Sequence, residues 1–294
     1  MEYDHIHPDF RHVLALSDQE RKYFLQEQRW IGYPSAKYII DTMQSLMAMP
    51  KRTRMPNLLI VGDSNNGKTS IIERFKSVCG QGYVDDSGEA VKPVIVTEVS
   101  NASEKGFLIG LLECFFAPYK SGSIDVLRPQ VLHLFRKCQV QILVIDEIHS
   151  MLTGTAREQR EIMNGIKYLC NQLRIPVVGF GLREATVVLH TDKQHTSRFD
   201  VLSLPLWELN PQFQTLLKDF ESILPLKKKS GLHTGSLATA LHTISQGNLG
   251  DLQNLLVRCA TAAIDSGTER IDLDIIEAQE CIRRTTHGMR ERTA

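Results

Sequence analysis

A nine-residue stretch, GDSNNGKTS at residues 62–70, constrains the fold of this chain more than any other feature of its sequence. It has the spacing of a phosphate-binding loop: Gly62, four residues, then Gly67, Lys68 and Thr69. Such a loop lies between a strand and a helix, because its backbone N–H groups must converge at a helix N-terminus. The apolar run 58–61 precedes it, and a helical pattern follows from Ile71. The sequence therefore predicts a strand–loop–helix unit that binds phosphates.

The residue types in the loop indicate a nucleoside triphosphate as the ligand. Lys68 can reach the β and γ phosphates, and the Thr69 hydroxyl can hold Mg²⁺. We therefore predict ATP and Mg²⁺ as cofactors. The residues that we assign to nucleotide binding together with Lys68 and Thr69 are Gly62, Asp63, Ser64, Asn65, Asn66, Gly67 and Ser70.

A second motif predicts that the bound nucleotide is hydrolysed. Residues 142–147 read ILVIDE, four apolar residues of high β propensity followed by two carboxylates. This pattern is typical of a Walker B strand, in which Asp146 holds Mg²⁺ and Glu147 polarises the attacking water. A small-molecule kinase excludes water and has less need of a base that activates a water molecule, so the Asp-Glu pair favours an ATPase.

Composition is compatible with a cytoplasmic globular protein and excludes few functions. Of the 294 residues, 42% are hydrophobic, yet no run of about 18 apolar residues occurs and the N-terminus MEYDHIHPDF is unlike a signal peptide. We therefore expect no membrane association. The six cysteines lack metal-ligand spacing, which indicates reduced thiols. Lys plus Arg equals Asp plus Glu at 34 each, which argues against a nucleic-acid-binding surface that covers the protein but permits a local basic one.

The order of the hydrophobic patterns predicts an α/β fold with a second, helical part. Strands are expected near 58–61, 94–99, 142–146, 176–180 and 201–204, with helices between them, and a helix that opens at Pro34 precedes the first strand. This alternation predicts a five-stranded parallel sheet flanked by helices. From Asn210 onward only helical patterns occur. The predicted domains are an N-terminal helical extension and linker at 1–50, a P-loop core at 51–208, a small C-terminal helical lid at 209–283 and a basic tail at 284–294.

These features together resemble the AAA+ ATPases, and the resemblance implies roles for further residues. Arg198 stands in Thr196-Ser197-Arg198-Phe199 before the fifth strand, where the family often carries an arginine finger that reaches the γ phosphate of a neighbouring subunit. A surface arginine is the alternative. Trp30 and Tyr33 correspond to the linker that flanks the adenine in this family, with packing against the core as the alternative.

Two positions depart from the AAA+ pattern. After the fourth strand, where a polar sensor residue is common, Gly181-Leu182-Arg183 offers only Arg183, and that assignment stays open. In the lid, residues 247–252 resemble the sensor-2 helix, but Gly250 or Asp251 stands where arginine is frequent. The missing arginine predicts slow hydrolysis that DNA or a partner stimulates.

An extended segment makes the resemblance more specific. The N-terminal RWIGYP at 29–34, RMPNLLIVGDSNNGKT at 54–69 and DEIH at 146–149 closely resemble TniB, the AAA+ transposition protein related to TnsC. This resemblance spans about residues 10 to 280. It implies a bacterial, nucleoid-associated protein that self-associates into a ring or helical filament on double-stranded DNA. It also implies two protein partners, a DDE transposase of the TniA type and a TniQ-type adaptor.

Direct sequence support for DNA contact is limited to two segments. TnsC-like proteins use loops in this part of the domain to follow the DNA backbone, which makes Lys105, Lys120 and Ser121 the candidate contacts. Lysine and hydroxyl groups suit phosphate binding, which positions a protein without reading base sequence. Solvated loop residues are the alternative. Lys227-Lys228-Lys229 and the tail from Arg283 to Arg292 are also basic, and we assign them no specific role.

Three functions remain open at the level of sequence. The first is an ATP-dependent, DNA-bound oligomer that acts in transposition. The second is an AAA+ protein of the helicase-loader or initiator type. The third is a nucleotide switch that scaffolds protein partners and hydrolyses ATP weakly. DNA-dependent assembly separates the first two from the third, and dependence of strand transfer on the protein separates the first from the second.

Overall fold

The computed structural model describes residues 3–99, 102–119, 122–189 and 198–279. The strands, in chain order, are β1 (Asn57–Gly62), β2 (Tyr83–Val84), β3 (Ala90–Val91), β4 (Val94–Glu98), β5 (Ile142–Asp146), β6 (Val177–Gly181) and β7 (Phe199–Leu204). The α-helices are α1 (Asp18–Gln26), α2 (Pro34–Ala48), α3 (Lys68–Cys79), α4 (Glu104–Glu113), α5 (Ile124–Lys137), α6 (Ala156–Leu173), α7 (Thr186–Leu189), α8 (Pro211–Ile223), α9 (Gly235–Ser245), α10 (Leu249–Asp265) and α11 (Leu273–Ala278). Turns of 3₁₀ helix occur at Pro8–Ala15, Ile148–Thr153 and Arg183–Ala185. Within these residues, no helix has both the length and the apolar character needed to cross a membrane.

The chain divides by contact into two compact units. The larger is Pro34–Pro205, and the smaller consists of the described residues of Met1–Tyr33 and Leu206–Ala294. This division differs from the predicted boundaries, because helix α2 belongs to the larger unit and the segment before Pro34 belongs with the C-terminal helices. The physical reason lies in the burial of α1, whose Leu25 joins the apolar core formed by α8 to α11.

The larger unit is built on a five-stranded parallel sheet in the order β4-β5-β6-β1-β7. All five predicted strands are confirmed. Because the strands are parallel, their carboxyl ends meet at one edge, where Glu98 pairs in register with Asp146 and Gly62 with Leu204. A two-stranded antiparallel hairpin, β2–β3, was not predicted, since each strand has only two residues.

Burial on both faces explains why the central strands read as continuous apolar runs. Every residue of β1, β5 and β6 is buried. Helix α6 shows how the covering layer is specified. It begins with a capping box in which Thr155 and Glu158 satisfy each other's backbone N–H groups, and it buries Ile162, Ile166 and Leu169 along one face.

The smaller unit has its own apolar core, to which α1 and helices α8 to α11 contribute. A close backbone approach occurs at Gly247, which has φ +71° and sits against Trp207. A Cβ atom at Gly247 would lie 2.1 Å from the Trp207 carbonyl oxygen, so only glycine fits there. The Trp207 N–H donates to the Gly247 carbonyl at 2.8 Å, which holds the segment after β7 against the start of α10.

Candidate functional site

The predicted phosphate-binding loop lies where a strand meets a helix. Strand β1 ends at Gly62, and helix α3 begins at Lys68 with Gly67 as its N-cap. Gly67 has φ +85° and Asn65 has φ +59°, both in the left-handed region. A residue without Cβ adopts this conformation at no steric cost, which explains the glycine at the last turn before the helix. The loop therefore presents the N-terminus of α3 at the carboxyl edge of the sheet.

Lys68 is a buried cation whose hydrogen-bond acceptors are backbone carbonyls. Only 5% of the residue is exposed, and its Nζ atom donates to the carbonyl oxygens of Gly62 at 2.9 Å and Asp63 at 2.8 Å. Burial lowers the pKa of Lys68, while the carboxylates of Glu147, Asp146 and Asp63 oppose that shift. The charge is thus held inside the loop by neutral oxygens at short range.

The two predicted Mg²⁺ ligands lie side by side. The Thr69 hydroxyl donates to Asp146 Oδ2 at 3.2 Å, although the two residues are 77 positions apart in the chain. Asp146 is 4% exposed, and its Oδ1 accepts the Glu147 N–H at 2.8 Å. Hydroxyl and carboxylate oxygens are the donors that Mg²⁺ takes beside a nucleotide, with phosphates and waters completing its shell. The residues present therefore fit the ion.

Glu147 adopts the left-handed conformation, with φ 51° and ψ 36°, immediately after β5. Its side chain is 44% exposed and meets His149, whose Nε2 lies 3.1 Å from Glu147 Oε2. The other ring nitrogen of His149, Nδ1, accepts the Leu182 N–H at 3.4 Å. These contacts were not predicted from the sequence. The only available signal was the closeness of a histidine to the Asp-Glu pair, which does not identify its partners.

Asn66 has a structural contact that the loop motif does not indicate. The residue is 2% exposed, and its Nδ2 atom donates to the carbonyl oxygens of Leu204 and Pro205 at 3.1 Å each. Gly62 lies equally close to this strand end, since a Cβ there would be 3.0 Å from the Leu204 carbonyl oxygen. The phosphate-binding loop therefore packs against the end of β7 and is hydrogen-bonded to it.

The remaining loop residues face outward. Ser64, Asn65 and Ser70 are exposed, and Asp63 is partly exposed. The Asp63 carboxylate lies 3.5 Å from the Nε atom of Arg183, the residue at the open sensor position after β6. The structure thus brings Arg183 to the same edge of the sheet as the loop.

Arg198 lies at the amino-terminal ends of the strands, whereas the phosphate-binding loop lies at their carboxyl ends. It immediately precedes β7, and its carbonyl accepts the N–H of Asn57 at the start of β1, while its Nη1 donates to Asn171 at 2.9 Å. Gly62 is five residue steps further along β1, a distance of about 17 Å at 3.3 Å per residue. Arg198 is therefore far from the phosphate-binding loop of its own chain.

Three further predicted site residues, Tyr33, Trp30 and Lys105, lie within the described part of the chain. Tyr33 is 6% exposed and packs edge-to-face against Trp207 at 5.3 Å between ring centroids, and Trp30 stacks on Tyr33 at 6.4 Å. Burial raises the pKa of Tyr33. These are aromatic packing contacts, and the adenine-flanking role of Tyr33 and Trp30 stays a prediction. Lys105 is exposed in the first turn of α4, which follows the carboxyl end of β4.

The other predicted positions lie outside the described residues or in the C-terminal helices. Lys120, Ser121 and the basic tail 284–294 lie outside the described residues. In the lid, Gly250 and Asp251 occupy the first turn of α10, whose N-cap residue Asn248 accepts the Asp251 N–H.

A P-loop between β1 and α3, an Asp-Glu pair at the end of β5 whose Asp146 contacts Thr69 of that loop, and a set of C-terminal helices together define an AAA+ fold. Solved structures with this fold support the assignment at low sequence identity. Cdc6p from Pyrobaculum aerophilum matches with a TM-score of 0.60 and 14% identity over 87% of this chain and 68% of that one. The Aeropyrum pernix ORC1 protein, solved in complex with DNA, gives 0.58 and 13% over 87% and 68%. The ORC2 protein of the same organism, in its ADP form, gives 0.56 and 12% over 88% and 72%.

The family is identified by sequence. The family described as "Bacterial TniB protein" matches residues 21–209, well over half of the chain. The chain therefore belongs to the TniB family. No protein with curated function matches the sequence significantly.

Proposed function

We propose that this protein is an ATP-dependent regulator of DNA transposition that assembles on duplex target DNA and recruits or activates a DDE transposase of the TniA type. The observation that carries the ATP-dependent part is the contact between Thr69 and Asp146 beside the buried Lys68. Membership of the TniB family supports the role in transposition. A TniQ-type adaptor is a further proposed partner.

The nucleotide is held by charge and by backbone dipoles. The N–H groups at the start of α3 point toward the loop, where the helix dipole favours the phosphates. Lys68 supplies a full positive charge that can move from the carbonyl oxygens of Gly62 and Asp63 to the β and γ phosphates. Thr69 and Asp146 would hold Mg²⁺, which neutralises charge on the phosphates when it is bound.

Glu147 is proposed as the general base for hydrolysis. Its carboxylate accepts a proton from water as the water oxygen bonds to the γ phosphorus, and the bond to the bridging oxygen of ADP breaks. The products are ADP and inorganic phosphate. The 44% exposure of the Glu147 side chain supports this role, because the base must reach a water molecule.

Arg198 is proposed to act on the nucleotide of a neighbouring subunit. Its position at the sheet edge opposite the loop supports this, because it lies about 17 Å away by strand geometry. A guanidinium meets two phosphate oxygens in a planar fork, which suits it to an interface that excludes water. ATP would then hold adjacent subunits together in a ring or helical filament.

DNA is proposed to lie against Lys105 of successive subunits, with Lys120 and Ser121 as further contacts. The exposure of Lys105 at the start of α4 supports an approach of phosphates. Because each subunit offers few cations, a monomer should bind weakly, whereas an ATP-held assembly multiplies the contacts. ATP should therefore tighten DNA binding without introducing sequence preference.

The proposal is tested by measuring ATP turnover and assembly on duplex DNA together. Wild-type protein should hydrolyse ATP faster with DNA, and Glu147→Gln should bind ATP and assemble but hydrolyse about 100-fold more slowly, since a general base contributes at least that much. Strand transfer by the cognate transposase should require the protein. Assembly that is the same with and without DNA would favour the nucleotide switch that scaffolds protein partners. Helicase delivery without any effect on strand transfer would favour the helicase loader.

Mixed subunits test the shared site. Arg198→Ala protein should keep monomeric ATP binding and lose turnover, and titration with Lys68→Ala subunits should restore part of the activity through complementary half-sites. If mixed assemblies form and remain inactive, Arg198 does not act across the interface.

A further inference from the structure

His149 stands between the candidate base and the end of a neighbouring strand. Its Nε2 lies 3.1 Å from Glu147 Oε2, and its Nδ1 accepts the Leu182 N–H at 3.4 Å, 33 residues away in the chain. In a neutral imidazole one nitrogen accepts and the other carries the proton. Since Nδ1 accepts from the backbone, Nε2 is the donor, and its hydrogen bond goes to the Glu147 carboxylate.

The backbone around the ring is closely packed. Gly181, at the end of β6, lies against the residues before and at His149. A Cβ atom at Gly181 would be 3.0 Å from Ile148 Cγ2 and 3.3 Å from the His149 nitrogen. Ile148 is 1% exposed and belongs to the apolar core of the larger unit. The ring of His149 is therefore carried by a segment that cannot shift without displacing the end of β6.

The side chain of Glu147 has no comparable packing of its own. It is 44% exposed, whereas the His149 side chain is 23% exposed. A glutamate has three rotatable bonds, and an exposed one samples several rotamers. A general base contributes most when it is within hydrogen-bond reach of the water that it deprotonates. A donor anchored to β6 restricts the carboxylate to fewer positions.

We propose that His149 is a positioning residue for ATP hydrolysis: it is held at the end of β6 by the Leu182 N–H, and it donates to the Glu147 carboxylate and so fixes where that carboxylate lies. The inference rests on the proposed ATPase function and extends it. The next residue, Arg183, lies 3.5 Å from Asp63 of the phosphate-binding loop. A continuous set of contacts thus joins the loop, the end of β6, His149 and the base.

Two substitutions separate the two hydrogen bonds of the ring. In His149→Gln, the amide nitrogen can stand near the position of Nε2, so the donor to Glu147 is kept and the acceptor for Leu182 is lost. In His149→Asn, the shorter side chain places an acceptor near Nδ1 and loses the donor to Glu147. His149→Ala removes both, and His133→Ala changes an exposed histidine of α5 in the same unit as the control.

The experiment measures kcat, KM and the affinity for a non-hydrolysable ATP analogue, with Mg²⁺ and duplex DNA present. His149→Ala and His149→Asn should lower kcat about 10-fold, a part of what a general base contributes, with KM and analogue affinity unchanged. His149→Gln should lower kcat about threefold, less than His149→Ala, because the donor to Glu147 remains but its anchor to the Leu182 N–H is lost. His133→Ala should have no effect.

A double-mutant cycle tests whether His149 acts through Glu147. When His149→Ala is added to Glu147→Gln, it should cause no further loss of kcat, because the base is already absent. A further loss equal to that in the wild-type background would overturn the proposal. So would a kcat for His149→Ala that equals or exceeds wild type while Glu147→Gln is inactive. Normal turnover by Glu147→Gln, or none by wild type, would instead reject the ATPase function on which it rests.

Discussion

Among the residues that the structure describes, each of the two compact units has one buried cation, and the two cations have different kinds of hydrogen-bond acceptor. Arg21 in the smaller unit is fully buried and donates to Glu269 through both terminal nitrogens, at 2.7 and 2.8 Å, and to Asp18 at 2.7 Å. Lys68 in the larger unit donates to the carbonyl oxygens of Gly62 and Asp63. The hydrogen bonds of Arg21 to side chains go to carboxylates, and those of Lys68 go to neutral carbonyl oxygens.

The pKa values of these two cations shift in opposite directions. Hydrogen bonding to Glu269 is the main cause of a raised pKa for Arg21, whereas burial is the main cause of a lowered pKa for Lys68. A buried charge without a matched opposite charge is unfavourable for folding. Arg21 therefore stabilises the fold through its carboxylate partners. The hydrogen bonds of Lys68 go to carbonyl oxygens, so an anionic ligand would supply the negative charge that balances it.

Lys68→Ala gives the largest expected effect. ATP affinity should fall about 100-fold or more, since hydrogen bonds to charged groups contribute roughly 1.5–3 kcal/mol each. Stability without nucleotide should be unchanged or higher, because an unfavourable buried charge is removed. Titration with a fluorescent ATP analogue and thermal unfolding measure the two quantities. Lys76→Ala, at the exposed end of the same helix, is the control and should change neither. Unfolding of Lys68→Ala would abolish the distinction between the two cations.

Arg21→Met should show the reverse pattern. Removing one partner of a buried pair leaves the Glu269 carboxylate, whose side chain is 13% exposed, without its main donor. The free energy of unfolding in urea should fall by roughly 3 kcal/mol. ATP affinity should be unaffected at temperatures where the variant is folded. A proportional loss of ATP affinity would mean that Arg21 also serves the nucleotide.

Adding Glu269→Gln to Arg21→Met should recover part of this loss. The neutral amide no longer leaves a buried charge unpaired, and its oxygen can still accept the Lys227 N–H that Glu269 accepts at 3.2 Å. We expect a recovery of about 1–2 kcal/mol in urea unfolding, because replacing both members of a buried pair costs less than removing one. If the two losses instead add, the pair is not the source of the stability.

The smallest expected effect is on acid stability. Burial alone would raise the pKa of Glu269, but the hydrogen bonds from Arg21 and from the Lys227 N–H outweigh it, so the pKa lies below its ordinary value of 4.5. A depressed carboxyl pKa contributes stability above the unfolded value, and that contribution is lost as the pH falls through the folded value. The melting temperature of the wild type should therefore drop below pH 4.5 more steeply than that of Arg21→Met, which already lacks the contribution. Parallel melting curves for the two proteins would assign the acid sensitivity to other carboxyl groups.

Much of the larger unit could be predicted because its signals are local. The apolar run before Gly62 identified β1, and the run before Asp146 identified β5, since strands buried on both faces read as continuous hydrophobic segments. The loop motif also placed Lys68 and Thr69 at the start of a helix. The hairpin β2–β3 could not be predicted, because two-residue strands carry no periodicity.

Contacts between distant residues explain what sequence analysis missed at the site. Asn66 looks like an ordinary variable position of the loop, but its partners at the end of β7 are 138 residues away. His149 entered the sequence analysis only as part of the DEIH segment at 146–149. Its hydrogen bond to the Leu182 N–H depends on how β5 and β6 pair, and a one-residue change of register would remove it.

The sequence by itself determined the class of fold, the phosphate-binding loop and the carboxylate pair, because each of these is specified by residue types at short, fixed spacing. Only the tertiary structure decided that α1 belongs with the C-terminal helices, through the pairing of Arg21 and Glu269 across 248 residues. It alone decided that His149 accepts the Leu182 N–H while its Nε2 lies against Glu147. The physical reason is that burial and hydrogen bonding between distant segments depend on how whole strands and helices pack, and no local pattern carries that information.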